Sequence, residues 1–141
     1  MRKIVFPRKI GIAAILITNC YFIANAQSTP WKAPASAEAL VNPVPSTPAS
    51  IAEGKDLYQT NCSPCHGTKG KGDGAAAAAL NPAPADHSSA FVQNEKDGVI
   101  FWKLSEGRNT MPPYKGSFSV NQRWALVNYI KTLGAKPKKQ K

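Results

Sequence analysis

Cys62-Ser63-Pro64-Cys65-His66 sets two thiols three positions apart, with an imidazole directly behind the second. Cys-x-x-Cys-His is the attachment pattern of a c-type haem. The thiols are spaced to add to the two vinyl groups on one edge of a porphyrin, and the adjacent His falls under the ring, where it can coordinate iron. Three other readings of the same residues are weaker. A zinc half-site needs two further ligands, and only His66 and His87 stand beside the carboxylates, with no second Cys pair. A thioredoxin-type redox pair belongs next to a βαβ pattern, and nothing here alternates with period two over a useful length. A disulfide between Cys62 and Cys65 would close too small a loop to remove much unfolded-state entropy.

Outward from this motif the pattern is helical. Ser50-Ile51-Ala52-Glu53 fits a capping box, which predicts a helix over residues 51–61 with Ile51, Gly54, Leu57 and Tyr58 on one side. Ser119-Val120-Asn121-Gln122 is a second box of the same type. It opens a helix with Val120, Trp124, Val127, Ile130 and Leu133 at three- and four-residue spacing, and Gly134 is a natural stop. A third helix is expected over residues 95–105, carrying Val99, Ile100, Phe101 and Leu104. Gly- and Pro-rich loops fill 67–74 and 81–86. The fold class expected is therefore all-α, with three to four helices over residues 50–135. A core this thin needs a cofactor or cross-link to make up its deficit.

The ends of the chain read differently. Residues 1–9 carry Arg2, Lys3, Arg8 and Lys9, a mostly apolar run follows to residue 23, and Ala24-Asn25-Ala26 offers a cleavage site, so 1–26 reads as an export signal. The run is about 14 residues, short of the roughly 20 that span a bilayer. Two alternatives remain: an uncleaved membrane anchor, and lipid attachment at Cys20, against which Asn19 is a poor preceding residue. Residues 27–49, with prolines at 30, 34, 43, 45 and 48, read as an extended linker arm that does not fold back as helix, with Trp31 exposed. Residues 136–141 form a basic tail. The 18 Lys and Arg outnumber 8 acidic residues by 10, but removing the four cations of the signal leaves +6, and removing Lys136, Lys138, Lys139 and Lys141 leaves +2. A mildly basic body excludes nucleic acid as a partner, because phosphate binding needs cations spread over one face.

A haem iron held by one His takes a sixth ligand. Apart from the initiator, the only methionine of the chain is Met111, set in Met111-Pro112-Pro113-Tyr114, where the prolines stiffen the backbone and present the thioether at a fixed position. His/Met ligation raises the reduction potential. His87 follows Pro82, Pro84 and Asp86 in a polar loop, and an exposed position is expected for it.

Residues 50–134 resemble a class I cytochrome c. The first helix leads into Cys62-x-x-Cys65-His66, Gly107-Arg108-Asn109-Thr110-Met111-Pro112 forms the distal loop, and Arg123-Trp124-Ala125-Leu126-Val127-Asn128-Tyr129-Ile130 matches the last helix. The resemblance implies that the three to four helices wrap around one haem, and that the first and last cross at Gly54 against Trp124 or Tyr129. It also implies that the carbonyl of Pro82 or Pro84 accepts the Nδ1–H of His66. Haem c, attached through Cys62 and Cys65 and ligated through its iron by His66 and Met111, would then leave no open coordination site. The function expected is single-electron transfer without catalysis, between periplasmic or membrane redox partners, either free or as a subunit of a respiratory or dehydrogenase complex. Lys69, Lys71, Arg108 and Lys115 would steer partners with acidic docking faces. Arg108, with Trp102 or Asn109, would meet a propionate, and the alanines at 75–79 would pack against the haem. The alternative is a haem sensor or small-ligand-binding haem enzyme with a labile Met111.

Overall fold

The computed structural model describes residues 31–134. The expected signal segment, Cys20, the start of the arm and the basic tail lie outside the described residues. Six helices follow in order: α1 Ala35–Glu38, α2 Pro48–Asn61, α3 Ser63–His66, α4 Ala90–Gln93, α5 Asp97–Glu106 and α6 Val120–Thr132. No strand is formed among the described residues. The fold is all-α, and α2, α5 and α6 build its frame.

Helix α2 starts earlier than its sequence predicts. Thr47 is the cap: its hydroxyl accepts from the Ser50 amide at 3.2 Å, while the Ser50 hydroxyl accepts from the Thr47 amide at 3.0 Å. Ser50 is thus the third residue of the helix and not its cap, because Pro48, with φ preset and no amide to satisfy, is well suited to the first helical position. The second expected box is present as read, with the Ser119 amide donating to Gln122 Oε1 at 3.0 Å and the Gln122 amide to Ser119 Oγ at 3.2 Å. Helix α5 begins two residues later than expected and stops at Gly107, whose φ is 63°.

Helices α2 and α6 cross where Gly54 has no side chain. A Cβ there would lie 2.0 Å from the carbonyl oxygen of Ala125 and 3.0 Å from Tyr129 Cβ. The tightest approach is therefore to the backbone of α6, with Tyr129 beside it and not Trp124. Every residue of α6 from 123 to 130 is buried, Val120 is 52% exposed, and Leu133 is only half-buried, so the single apolar stripe expected for this helix understates its burial. Helix α6 is covered on three sides, by α2, by α5 and by the Pro-rich segment.

That segment corrects the expectation of a helix-less extended arm over its described part. Pro34 precedes the single turn α1, Ala37 is buried, and a Cβ on Gly98 of α5 would lie 2.1 Å from the Ala37 carbonyl oxygen. Further along, Asn42 Nδ2 donates to Asn128 Oδ1 at 2.8 Å, and Asn128 Nδ2 donates to the carbonyl of Val44 at 3.1 Å and to Ser50 Oγ at 3.2 Å. Prolines keep the chain extended here, but its free carbonyls satisfy a buried amide of α6 that would otherwise be costly. Trp31, expected to be exposed, is half-buried against Trp102, with ring centroids 6.2 Å apart.

Candidate haem site

Helix α3 carries the Cys-x-x-Cys-His motif. Cys62 both ends α2 and begins α3, Pro64 sits in the first turn, where a missing amide costs nothing, and Ser63 Oγ donates to the Gln59 carbonyl at 2.6 Å. Cys62, Cys65, His66 and Met111 all line one cavity of about 500 Å³. Its other walls are largely apolar and include Leu80, Phe91, Val92, Ile100, Leu104 and Ile130.

His66 Nδ1 lies 2.9 Å from the carbonyl oxygen of Ala85. A carbonyl only accepts, so Nδ1 carries the proton and Nε2 keeps its lone pair. The acceptor is neither Pro82 nor Pro84, as the resemblance implies: both prolines line the cavity, but the Pro84 carbonyl faces Gly72. Burial lowers the His66 pKa from 6.5, and the bond to Ala85 opposes the shift. Its neutral form is the one that binds metal. Burial, then Cys65, pushes the Cys62 thiol up to about 12, and no disulfide joins the two cysteines.

Met111 is presented by a tight turn that its sequence does not announce. The Arg108 amide donates to the Met111 carbonyl and the Met111 amide to the Arg108 carbonyl, both at 2.9 Å, with Asn109 in the left-handed region at φ 53°. Asn tolerates that conformation. A Cβ on Gly107 would lie 2.5 Å from the Met111 carbonyl oxygen, so glycine is needed for the turn to close. Tyr114 then anchors the loop: it is buried, lines the cavity, and donates its hydroxyl to the Asn61 carbonyl at 3.1 Å. Burial first, then Cys62 and Cys65, push its phenol up to about 12, so the donor stays protonated.

His87 departs most from expectation. It is buried, lines the cavity, and stacks on His66 with ring centroids 4.0 Å apart and planes 17° from parallel. Burial, then His66, lowers its pKa to about 3. Arg108 and Asn109 line the cavity, whereas Trp102 does not; Trp31 does so instead. The Trp31 ring sits 5.6 Å from the Lys103 ammonium and 5.9 Å from the Arg108 guanidinium, and Lys103 is paired with Glu95. The alanines at 75–79 do not face the cavity; Leu80, the next residue, does. Of the expected docking cations, Lys71 pairs with Asp86 at 3.9 Å and Lys115 with Glu106 at 2.9 Å, while Lys69 is exposed. Tyr58 read only as one residue of a helix face, Tyr114 only as the end of the Met-Pro-Pro-Tyr stretch, and Lys103 carried no signal, because their roles at the site depend on partners far along the chain. No cluster of three or more His, Cys, Asp or Glu among the described residues is placed to hold a metal ion, so the zinc reading lacks its remaining ligands.

The residues present fit a haem: two thiols, an imidazole of fixed tautomer and a thioether facing one apolar cavity. Comparison with known proteins agrees. Residues 49–130 match the family described as cytochrome c oxidase, cbb3-type, subunit III. The chain belongs to this family. It is a c-type cytochrome, and the cbb3-type subunit III family implies haem c with iron and supports haem-based electron transfer as the chemistry of the domain. The chain is similar to the cytochrome bc1 complex cytochrome c subunit of Corynebacterium diphtheriae, 30% identical over 64% of this chain and 30% of that one. It is also similar to cytochrome c6 of Leptolyngbya boryana, 29% identical over 58% of this chain and 91% of that one. Among solved structures, it resembles a chain of the Kuenenia stuttgartiensis reducing HAO-like protein complex, with TM-score 0.59 and 25% identity over 76% of this chain and 52% of that one. Cytochrome CL of Methylophaga aminisulfidivorans shares the fold at TM-score 0.51 and 18% identity, over 76% of this chain and 71% of that one. The chain thus spans about a third of the corynebacterial relative and about half of the Kuenenia chain.

Proposed function

We propose that this chain is an exported single-haem electron carrier, with haem c joined to Cys62 and Cys65 and its iron ligated by His66 and Met111. The observation that carries the reading is the convergence of these four residues on one apolar cavity, although 45 positions separate His66 from Met111. Held by Cys62, Cys65, His66 and Met111, haem would supply a one-electron couple at its iron. The chain's own residues hold that arrangement rigid. Ala85 fixes the His66 tautomer and raises its basicity. The Arg108–Met111 turn, Gly107 and Tyr114 hold the thioether in place. The apolar lining excludes water, which keeps reorganisation small on electron transfer.

Partners are redox proteins, met in the periplasm or within a membrane-associated respiratory or dehydrogenase complex. Docking is salt-dependent, with the exposed Lys69 contributing more than Lys71 and Lys115, whose charge is partly answered by Asp86 and Glu106. Localisation follows from residues 1–26. No described helix is long and apolar enough to cross a membrane, so membrane attachment would come through an uncleaved N-terminal segment or a lipidated Cys20.

The test is the visible spectrum of the full chain, expressed in a host that attaches haem c, oxidised and dithionite-reduced, with and without CO. A sharp reduced α band, a weak far-red Met–Fe(III) band and indifference to CO are expected. Attached haem that binds CO readily would replace the carrier reading with that of a sensor or small-ligand-binding enzyme; absence of haem would sink both.

A further inference from the structure

His87 is a buried imidazole that electron transfer does not require, and its backbone and its Nδ1 are all engaged. Its amide donates to the Gly70 carbonyl at 2.6 Å, its carbonyl accepts from Gln93 Nε2 at 2.6 Å, and its Nδ1 is 3.0 Å from the hydroxyl of Tyr58. Tyr58 is itself fully buried, in edge contact with Tyr129 at 5.1 Å and with His87 at 5.8 Å. Two residues earlier on the same loop, the Ala85 carbonyl takes the His66 Nδ1–H. One short segment therefore meets the His66 imidazole twice, once at its edge and once on its face.

These two contacts restrain different motions. The bond from Nδ1 to Ala85 fixes the direction of the ring within its own plane. A parallel ring 4.0 Å away blocks rotation about Cβ–Cγ, because turning would drive an edge of His66 into the face of His87. The stack can do this only if His87 is itself held, and the Tyr58 hydroxyl holds it. A buried hydrogen bond of this kind is costly to leave unmade, so it specifies one orientation where apolar packing alone would allow several.

Resting on the haem-ligand reading above, we propose that His87, oriented by Tyr58, is a positioning residue for His66 that sets the plane of the axial imidazole and the electron density it presents to iron. Partners of a metal-binding imidazole tune both properties.

The test uses the full-length holoprotein and four chains: wild type, His87→Phe, Tyr58→Phe and the double variant. Phenylalanine retains a ring at position 87 and removes the tie to Tyr58. Two readouts are taken: the midpoint potential, and the paramagnetically shifted haem-methyl resonances of the oxidised protein, which follow the plane of the axial imidazole. The far-red band is expected to persist in all four. His87→Phe is expected to rearrange the methyl pattern and shift the potential. Tyr58→Phe is expected to move both less in the His87 chain and to move neither in the His87→Phe background. Unchanged methyl patterns, or an equal Tyr58→Phe effect in both backgrounds, would overturn the proposal. If His87→Phe yields no holoprotein, an unchanged methyl pattern in Tyr58→Phe alone overturns it. Wild-type protein lacking haem or the far-red band would remove the ligand reading as well, whereas a normal wild type with unmoved variants removes only this one.

Discussion

The two sides of the cavity are built on different principles. Around His66, the loop over residues 81–89 is tied inward: Ala85 to His66, His87 to Gly70 and Tyr58, and Gln93 to His87, while Gly72 donates to the His66 carbonyl at 2.8 Å. Around Met111, the turn is exposed at Asn109, Thr110, Pro112 and Pro113, and its order comes from backbone stiffness, one pair of hydrogen bonds and the Tyr114 anchor. The first side is over-determined by tertiary contacts. The second is determined mainly by its local turn, with the Tyr114–Asn61 bond as a long-range tie, so its failure should be the more local of the two.

The largest effect should separate the two directly. His66→Ala is expected to abolish accumulation of folded holoprotein, whereas Met111→Ala is expected to retain attached haem and helix while losing the far-red band and admitting CO; circular dichroism with CO difference spectra reads both. A folded His66→Ala holoprotein would erase the asymmetry. Next in size, Gly107→Ala places a Cβ at positive φ against the Met111 carbonyl. It is expected to cost about 1–3 kcal/mol in denaturant unfolding and to weaken the far-red band, with the methyl pattern set by His66 little changed. Tyr114→Phe removes one buried hydrogen bond and should cost about 1 kcal/mol, seen as a lower unfolding midpoint at unchanged m-value.

The smallest effect lies on the His66 side and depends on pH. Ser88 donates to Asp86 through its hydroxyl at 2.6 Å and its amide at 2.8 Å, and these bonds, with Lys71 nearby, hold the Asp86 carboxyl below its usual 3.8. A depressed folded pKa means the contribution is present above the unfolded value and is lost as pH falls through the folded one. Ser88→Ala is therefore expected to lower the melting temperature slightly at neutral pH, with the difference from wild type vanishing in acid below the usual carboxylate range. A difference that grows on acidification would contradict this.

Much of the fold was legible because its signals are local. The Ser119–Gln122 box spans one turn, the helical periods of α5 and α6 need no distant partner, and Cys62, Cys65 and His66 are adjacent in the chain. Met111 could be singled out by counting, since no other internal methionine competes. The start of α2 was misplaced by three residues because two serine- or threonine-led caps overlap, and the proline inside one of them decides between the two. His87 read as exposed because its neighbours are polar; its burial is created by Tyr58, 29 positions earlier, and by His66, 21 positions earlier. The arm read as an extended linker because its prolines forbid a long helix, and nothing local announces that the amide of Asn128, more than 80 positions away, donates to its carbonyls.

The sequence by itself determined the helical class, the motif that defines the cofactor and the donors available to it, because these depend on residue identity and on spacing within a turn or two. Only the tertiary structure decided which carbonyl accepts from His66, which ring lies against its face, how Met111 is turned inward and what covers α6. Each of those depends on groups far apart in sequence meeting in a dry interior, where an unpaired polar atom is expensive and one arrangement satisfies them all.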